Sequence, residues 1–340
     1  MIRYDENPRL MDVVGRTYLV TGGSGLIGGY VTKALVERGE KVVVFDIRPP
    51  SNPKMQWVLG PVWDKVVFVE GSVSDDFPSI LKACRDNGVE RVFHAAALFR
   101  GRYESEHPFY SFHVTVEGML NICEAARLLG LGRIVFAGTN VEYIHLLQDK
   151  TSAPLVETDA MFDPACGTSP YGASKMAASI IGMCYWQTQG VDWVSTRYTR
   201  VWGFGAKAET SRMESIVEHA VDNVPTLIDR EGDQKRNHCY IKDLAKGIIQ
   251  ALDVDGSRLR QRVFNLGGPD ELSDRELAEI VKEYLPSAPI EVKGGGADRR
   301  AIDSTAAQEQ LGWKPEWDMR RSVRDYITTY AEFKKSSYTK

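Results

Sequence analysis

A glycine-rich corner between an apolar run and an amphipathic segment limits most what this chain can fold into. The stretch VTGGSGLIGGYVTKAL spans residues 20–35 and places Gly22, Gly23, Gly25 and Gly28 within seven positions. TYLV (17–20) reads as a buried strand before the corner, and residues 26–38 read as a helix after it, ending at Gly39. KVVVFD (41–46), VVFVEG (66–71), RVFHAA (91–96), RIVFAG (133–138), WVSTRY (193–198) and VFNLGG (263–268) are further strand candidates. Helical periods fill 116–130, 171–188 and 243–252. Strands rich in Val, Ile and Phe that alternate with helices predict an α/β fold, a doubly wound parallel sheet covered on both faces.

The glycines fit two spacings: Gly23, Gly25 and Gly28 match GxGxxG, and Gly22, Gly25 and Gly28 match GxxGxxG. A tight strand-to-helix turn without side chains lets backbone N–H groups approach a pyrophosphate at a helix N-terminus. Asp46 ends the next strand, 18 residues beyond Gly28. Its carboxylate can accept from a ribose 2′-hydroxyl, which favours NAD over NADP. Arg48, two residues on, softens that preference.

After about residue 200 the rhythm changes, with glycine, proline and charge scattered through 203–236. DELSDRELAEIVKEYL (270–285) opens on a capping sequence, Ser273 followed by Glu276, and GGGADRR (294–300) is a loop. We expect an NAD-binding domain from 1–200 with 237–267, and a smaller C-terminal α/β substrate-binding domain from 201–236 with 268–334.

Tyr171 and Lys175, in SPYGASK, are four apart and share a helical face. An ammonium near a phenol favours phenolate, giving a base that takes a hydroxyl proton as hydride leaves the carbon. The same spacing recurs at Tyr330 and Lys334 in the charged C-terminal tail. Chance or a surface helix accounts for that copy. Only the first copy follows a strand ending in a hydroxyl, Thr139, which is placed to hold a substrate oxygen against Tyr171.

The 42 Lys+Arg residues against 46 Asp+Glu leave a charge of -4, so no general basic field argues for nucleic acid. The longest nearly apolar run, MAASIIGMCYW (176–186), is too short for a membrane helix. The N-terminal MIRYDENPRLMDVVG has no apolar core and reads as no signal peptide. Five scattered cysteines form no CxxC pair, and the six histidines have no ligand spacing, so we expect free thiols in a reducing cytoplasm and no metal.

TGGSGLIG, the strand-end Asp46, HAA (94–96), the Thr139 strand, PYGASK (170–175) and LGWKP (311–315), in that order, resemble the extended short-chain dehydrogenase/reductase superfamily. More narrowly, they resemble its NAD-dependent nucleotide-sugar epimerase and dehydratase branch. The resemblance runs from about residue 15 to 330. It implies a Rossmann-type domain that holds NAD, with Thr139, Tyr171 and Lys175 as the catalytic set. It implies a cofactor lining of Gly22, Gly25, Leu26, Ile27, Gly28, Asp46, Ser72, Val73, Ala95, Ala96 and Tyr198, together with Tyr171 and Lys175. Substrate would meet Thr139, Asn140 and Arg200, with Arg236 and Arg299 matching arginines that grip a diphosphate. It also implies a homodimer built on the helices at 111–129 and 169–188.

Several positions depart from the pattern. Ser72 stands where an Asp usually contacts adenine, and His113 replaces a common Asn. In RYTRVWGFG (197–205), Arg200 stands for an asparagine that touches substrate and Phe204 for a proline. The added cation points to an acidic substrate or an altered phosphate grip. Dehydratases carry Asp and Glu directly after the threonine; here Asn140 and Val141 fill those places and Glu142 comes one residue late, which disfavours dehydration. Three functions stay open: an epimerase of a nucleotide sugar that keeps its NAD, a dehydrogenase of a non-nucleotide alcohol, acidic or steroid-like, and a dinucleotide-sensing regulatory or scaffold protein.

Overall fold

The computed structural model describes residues 15–98, 106–147, 153–159, 161, 163, 165–206 and 211–336. Most of the N-terminal stretch read above, residues 1–14, lies outside the described residues.

Seven strands make one parallel sheet: β1 (Thr17–Thr21), β2 (Lys41–Asp46), β3 (Val67–Glu70), β4 (Arg91–His94), β5 (Ile134–Ala137), β6 (Trp193–Tyr198) and, later in the chain, residues Val263–Leu266. The order across the sheet is Val263–Leu266, β6, β5, β4, β1, β2, β3. Every neighbouring pair is parallel. The central strands are buried on both faces, and β1, β5 and β6 have no residue outside the core. This is why they read as continuous apolar runs rather than alternating ones. The order reverses between β1 and β4, so the loops at their carboxyl ends splay apart and leave a crevice.

Local chemistry sets the helix ends. Asn52, Asp76, Ser169 and Asp318 each accept a backbone N–H as N-caps, and Gly88, Gly130 and Gly190 close helices in left-handed conformation. Ser273 and Glu276 form the expected reciprocal capping box ahead of helix Asp274–Tyr284. The helix Gly118–Leu129 begins two residues later than its apolar period, because residues His113–Glu117 form a π-turn.

The remaining strands form two small sheets. β7 (Arg200–Trp202), β9 (Arg236–Tyr240) and β11 (Asp270–Leu272) make one, while β8 (Thr226–Ile228) pairs with β12 (Ile290–Val292); the Val263–Leu266 strand is β10. Helix Ile241–Asp253 leaves β9 and packs on the large sheet. Trp313 of the LGWKP segment is fully buried against it, its indole N–H donating to the Asp243 carbonyl at 2.9 Å. Gly247 supplies the room, since a Cβ there would lie 2.9 Å from that indole.

The C-terminal segment is a packed helix, Met319–Lys335, rather than a tail. Phe204, which replaces the family's proline, is buried in an aromatic cluster with Trp57, Tyr326 and Phe333. Tyr330 and Lys334, the second YxxxK pair, both bind Asp222. That pair is a structural clamp far from the crevice strands in its bonding. Among the described residues no helix is long and apolar enough to cross a membrane.

Candidate active site

The crevice at the carboxyl ends of the large sheet collects most of the residues singled out in the sequence. Gly22 follows β1 with φ +68, and its N–H donates to the Phe45 carbonyl at 3.0 Å. A Cβ on Gly28 would lie 2.3 Å from the Gly22 carbonyl oxygen, and one on Gly22 would lie 2.9 Å from the Ala96 nitrogen. The turn, the first helical turn and the segment after β4 therefore close on one another only as glycines. Gly25 is the N-cap of helix Leu26–Glu37 and makes no side-chain cap, so that terminus keeps backbone donors for a ligand.

Asp46 ends β2 beside this turn. Its carboxylate accepts the Ser24 N–H at 3.0 Å and the Ile47 N–H at 2.8 Å. Partial burial raises its pKa, against those hydrogen bonds. Ala95 and Ala96 follow β4 and donate to Thr21, through its carbonyl and its hydroxyl at 3.2 Å each. Their small side chains let the segment approach Gly22. Together the glycine cradle, the uncapped helix end and the strand-end carboxylate fit a dinucleotide.

Ser72 and Val73 follow β3 at the edge of the crevice. Ser72 donates to Asp75 at 2.5 Å, Ser74 does so at 2.8 Å, and the His113 ring approaches the same carboxylate at 2.8 Å. These hydroxyls and the imidazole hold Asp75 down at about 2. The two departures at 72 and 113 are thus joined by a third residue that sequence comparison alone passed over. The only signal was the acid that ends GSVSD, three positions after Ser72.

Tyr171 lies in the first turn of helix Pro170–Gln189, whose N-cap Ser169 accepts from Gly172. One turn on, Lys175 is 2% exposed and donates to the Ala137 carbonyl, at the end of β5, over 2.8 Å. Its ammonium sits 5.9 Å from the Tyr171 ring centre and 4.6 Å from that of Phe136. Burial pulls its pKa down to about 8, against the opposing pull of Glu142. Tyr198, at the end of β6, is buried close enough to feel Tyr171; burial first, then that neighbour, push its pKa well up.

Thr139 caps a single turn, Asn140–Tyr143. Its hydroxyl accepts the Val141 N–H at 3.2 Å, leaving its proton to donate. Glu142 turns inward. It accepts from the Thr139 N–H at 3.1 Å, the Ser179 hydroxyl at 3.0 Å and Arg197 at 2.8 Å, and is fully buried. The one-residue delay noted in the sequence turns this acid away from the crevice and into a buried ion pair. Asn140 remains partly exposed at the crevice side of the turn.

The three candidate arginines converge from separate segments. Arg236 opens β9, β7 runs parallel beside it with Arg200 opposite His238, and the Arg299 N–H donates to the Lys235 carbonyl at 3.0 Å. Each lowers or is lowered by another: burial and then nearby charges, including Arg200 and Arg299, depress Arg236. Arg236 pairs with Glu231 at 3.0 Å and with Asp274 at 3.8 Å. The Arg299 Nε is buried with no hydrogen-bond partner. His238, Glu214 and Asp274 lie within electrostatic reach of these arginines; none carried a signal of its own in the sequence.

The model of the NAD-dependent epimerase/dehydratase family matches residues 18–267. The chain belongs to that family. As a member of the NAD-dependent epimerases and dehydratases it is an enzyme, and its cofactor is NAD. A putative UDP-glucose 4-epimerase of Methanocaldococcus jannaschii is 28% identical over 323 residues, covering 91% of this chain and 96% of the relative. UDP-glucuronic acid decarboxylase 1 of Arabidopsis thaliana is 27% identical, covering 93% of this chain and 71% of the relative. The fold matches the crystal structure of the Thermotoga maritima UDP-glucose 4-epimerase with UDP-glucose at a TM-score of 0.79. The identity there is 21%, over 93% of this chain and 99% of the other.

Proposed function

We propose that the protein is a nucleotide-sugar 4-epimerase that oxidises a ring hydroxyl by way of Tyr171 and returns hydride to the opposite face. The observation that carries this is the Lys175 ammonium, buried between the Tyr171 ring and the Ala137 carbonyl, one turn of chain from the Thr139 hydroxyl. NAD, when bound, accepts and returns the hydride. Tyr171 takes the hydroxyl proton, Lys175 favours its phenolate, and Thr139 donates to the same oxygen. Arg236 and Arg299 suit a diphosphate, since guanidinium forks match phosphate geometry. The relatives named above, which act on UDP-glucose or UDP-glucuronic acid by name, support a uridine nucleotide.

The test is to incubate purified protein with UDP-glucose or UDP-galactose and separate the sugars after hydrolysis. Interconversion without net NADH, and with excess free NAD making no difference, supports epimerisation. Steady NADH formation instead identifies a net dehydrogenase, the second reading that the sequence leaves open. If neither occurs and Tyr171→Phe leaves the cellular role intact, the regulatory alternative gains.

The domain division proposed is the cofactor half, 1–200 with 237–267, and the closing half, 201–236 with 268–334. It is supported by the large sheet, whose strands fall at 17–198 and 263–266. A homodimer is proposed on the helices ahead of and including Gly118–Leu129 and Pro170–Gln189. The exposed apolar side chains Phe109 (71%), Ile180 (59%) and Leu128 (51%) on these helices support it. Light scattering at the monomer mass would count against it. A cytoplasmic location accords with five free cysteines, two of them exposed; recovery in an oxidised, secreted fraction would contradict it.

A further inference from the structure

Four guanidinium groups and three carboxylates meet beside the crevice, and among the described residues the Arg200 guanidinium has no partner. Arg200, Arg212, Arg236 and Arg299 surround Glu214, Glu231 and Asp274, and their mutual influence places them in one electrostatic group. The carboxylates are committed to groups other than Arg200. Asp274 takes Arg212 at 2.7 Å, and Glu231 takes Arg236. Glu214 accepts the Gly203 N–H at 3.1 Å with one oxygen and the Ser211 hydroxyl with the other. Arg200 pairs with β9 through its backbone, but among the described residues its guanidinium makes no hydrogen bond or ion pair; Asp274 and Glu214 act on it only through space. A partly exposed guanidinium that no carboxylate has taken is free to bind an anionic ligand.

Its neighbour has the same character. The His238 Nε2 faces the Leu272 carbonyl at 3.2 Å, and a carbonyl only accepts, so Nε2 carries the proton. Burial and the flanking arginines keep the ring neutral, down at about 3. Nδ1 is therefore a lone-pair acceptor, and it is buried with no partner. Arg200 and His238 are register partners on β7 and β9, and Arg236 lies two residues before His238, so all three share one face of the small sheet. Arg200 follows Tyr198 by two residues, about 7 Å of extended chain. It thus stands between the reacting end of the crevice and the paired arginines, Arg236 and Arg299.

From this placement we propose that Arg200 and His238 form a subsite for an acidic sugar. Arg200 binds a carboxylate on the hexose, while His238 Nδ1 accepts from a neighbouring sugar hydroxyl; Arg236 and Arg299 keep the diphosphate. The proposal rests on the nucleotide-sugar function above and narrows it to uronate-type substrates.

Calorimetric binding of UDP, UDP-glucose and UDP-glucuronate to the NAD-loaded enzyme tests it. The wild type should favour UDP-glucuronate over UDP-glucose by roughly 10- to 100-fold, the range of one charge-assisted hydrogen-bonded pair. Arg200→Asn should abolish that ratio with UDP affinity unchanged, and Arg200→Lys should keep part of it. No preference in the wild type overturns the proposal. So does an equal loss for all three ligands in Arg200→Asn, which would make Arg200 a phosphate or structural group. If that variant does not fold, an undiminished ratio in Arg200→Lys counts against bidentate carboxylate recognition and overturns the geometry proposed. Failure of all three ligands to bind the wild type would overturn the nucleotide-sugar function itself, an outcome distinct from equal binding of the two sugars.

Discussion

The Lys175 ammonium lies 5.9 Å from the centre of the Tyr171 ring while donating to the Ala137 carbonyl at 2.8 Å. Helical spacing alone puts the two residues on one face. The carbonyl at the end of β5 fixes which way the lysine extends, and thereby joins the helix to the strand that carries Thr139.

Replacing Tyr171 by Phe should lower turnover by about 10²- to 10⁴-fold, the range for a positioned acid–base group, with NAD binding retained. Tyr330→Phe, in the same YxxxK spacing, should leave turnover unchanged and cost about 1 kcal/mol of stability through its lost contact with Asp222. Equal effects on turnover would remove the distinction drawn between the two pairs.

Lys175 is drawn from 10.5 to about 8 by burial. Between those values the unfolded chain binds more protons than the folded one, so stability rises as pH climbs from about 8 towards 10.5. Below about 8 the folded state carries the whole cost of the buried charge. Lys175→Met should flatten that slope in melting curves of the cofactor-free protein, hold or raise the melting temperature at neutral pH, and still lose turnover. A lowered melting temperature at neutral pH would argue that the ammonium is a structural asset.

Gly28→Ala inserts a methyl group where 2.3 Å separates it from the Gly22 carbonyl oxygen. Backbone on both sides leaves nothing flexible to give way. The expected result is a loss of about 1–3 kcal/mol in stability and a larger proportional loss in NAD affinity, read by calorimetry. Unchanged NAD binding would show that the cradle opens freely.

Asp46→Ala should weaken NAD more than NADP and narrow the preference between them, since the carboxylate repels a 2′-phosphate and accepts from a 2′-hydroxyl. The measurement is the ratio of the two dissociation constants. Arg48 stands ready to meet the phosphate once the acid is gone.

Glu142→Gln breaks a fully buried pair with Arg197 and leaves that guanidinium uncompensated. Removing one member of such a pair costs about 3–5 kcal/mol. The loss should appear as a lower melting temperature, with the surviving folded fraction still active. Normal stability with abolished turnover would instead assign Glu142 a direct part in the chemistry.

The glycine corner, the strand-end Asp46, the alternating elements and the Tyr171–Lys175 pair were all legible in the sequence. Each is a local pattern: a turn that needs no Cβ, a period of two or 3.6, a spacing of one helical turn. The reach of Glu142 was only half legible, because its delay gave a direction but not a partner. Arg197, 55 residues on, decides that it turns into the core. The same holds for Ser72 and His113, which meet at Asp75, and for the C-terminal helix, whose YxxxK serves Asp222. Arg200, Arg236 and Arg299 could be named from the sequence, yet which of them are left without a carboxylate partner emerged only when β7 and β9 came into register. Local patterns record what a segment does by itself, whereas charge balance and hydrogen-bond satisfaction depend on groups brought together across long stretches of chain, and only folding chooses those partners.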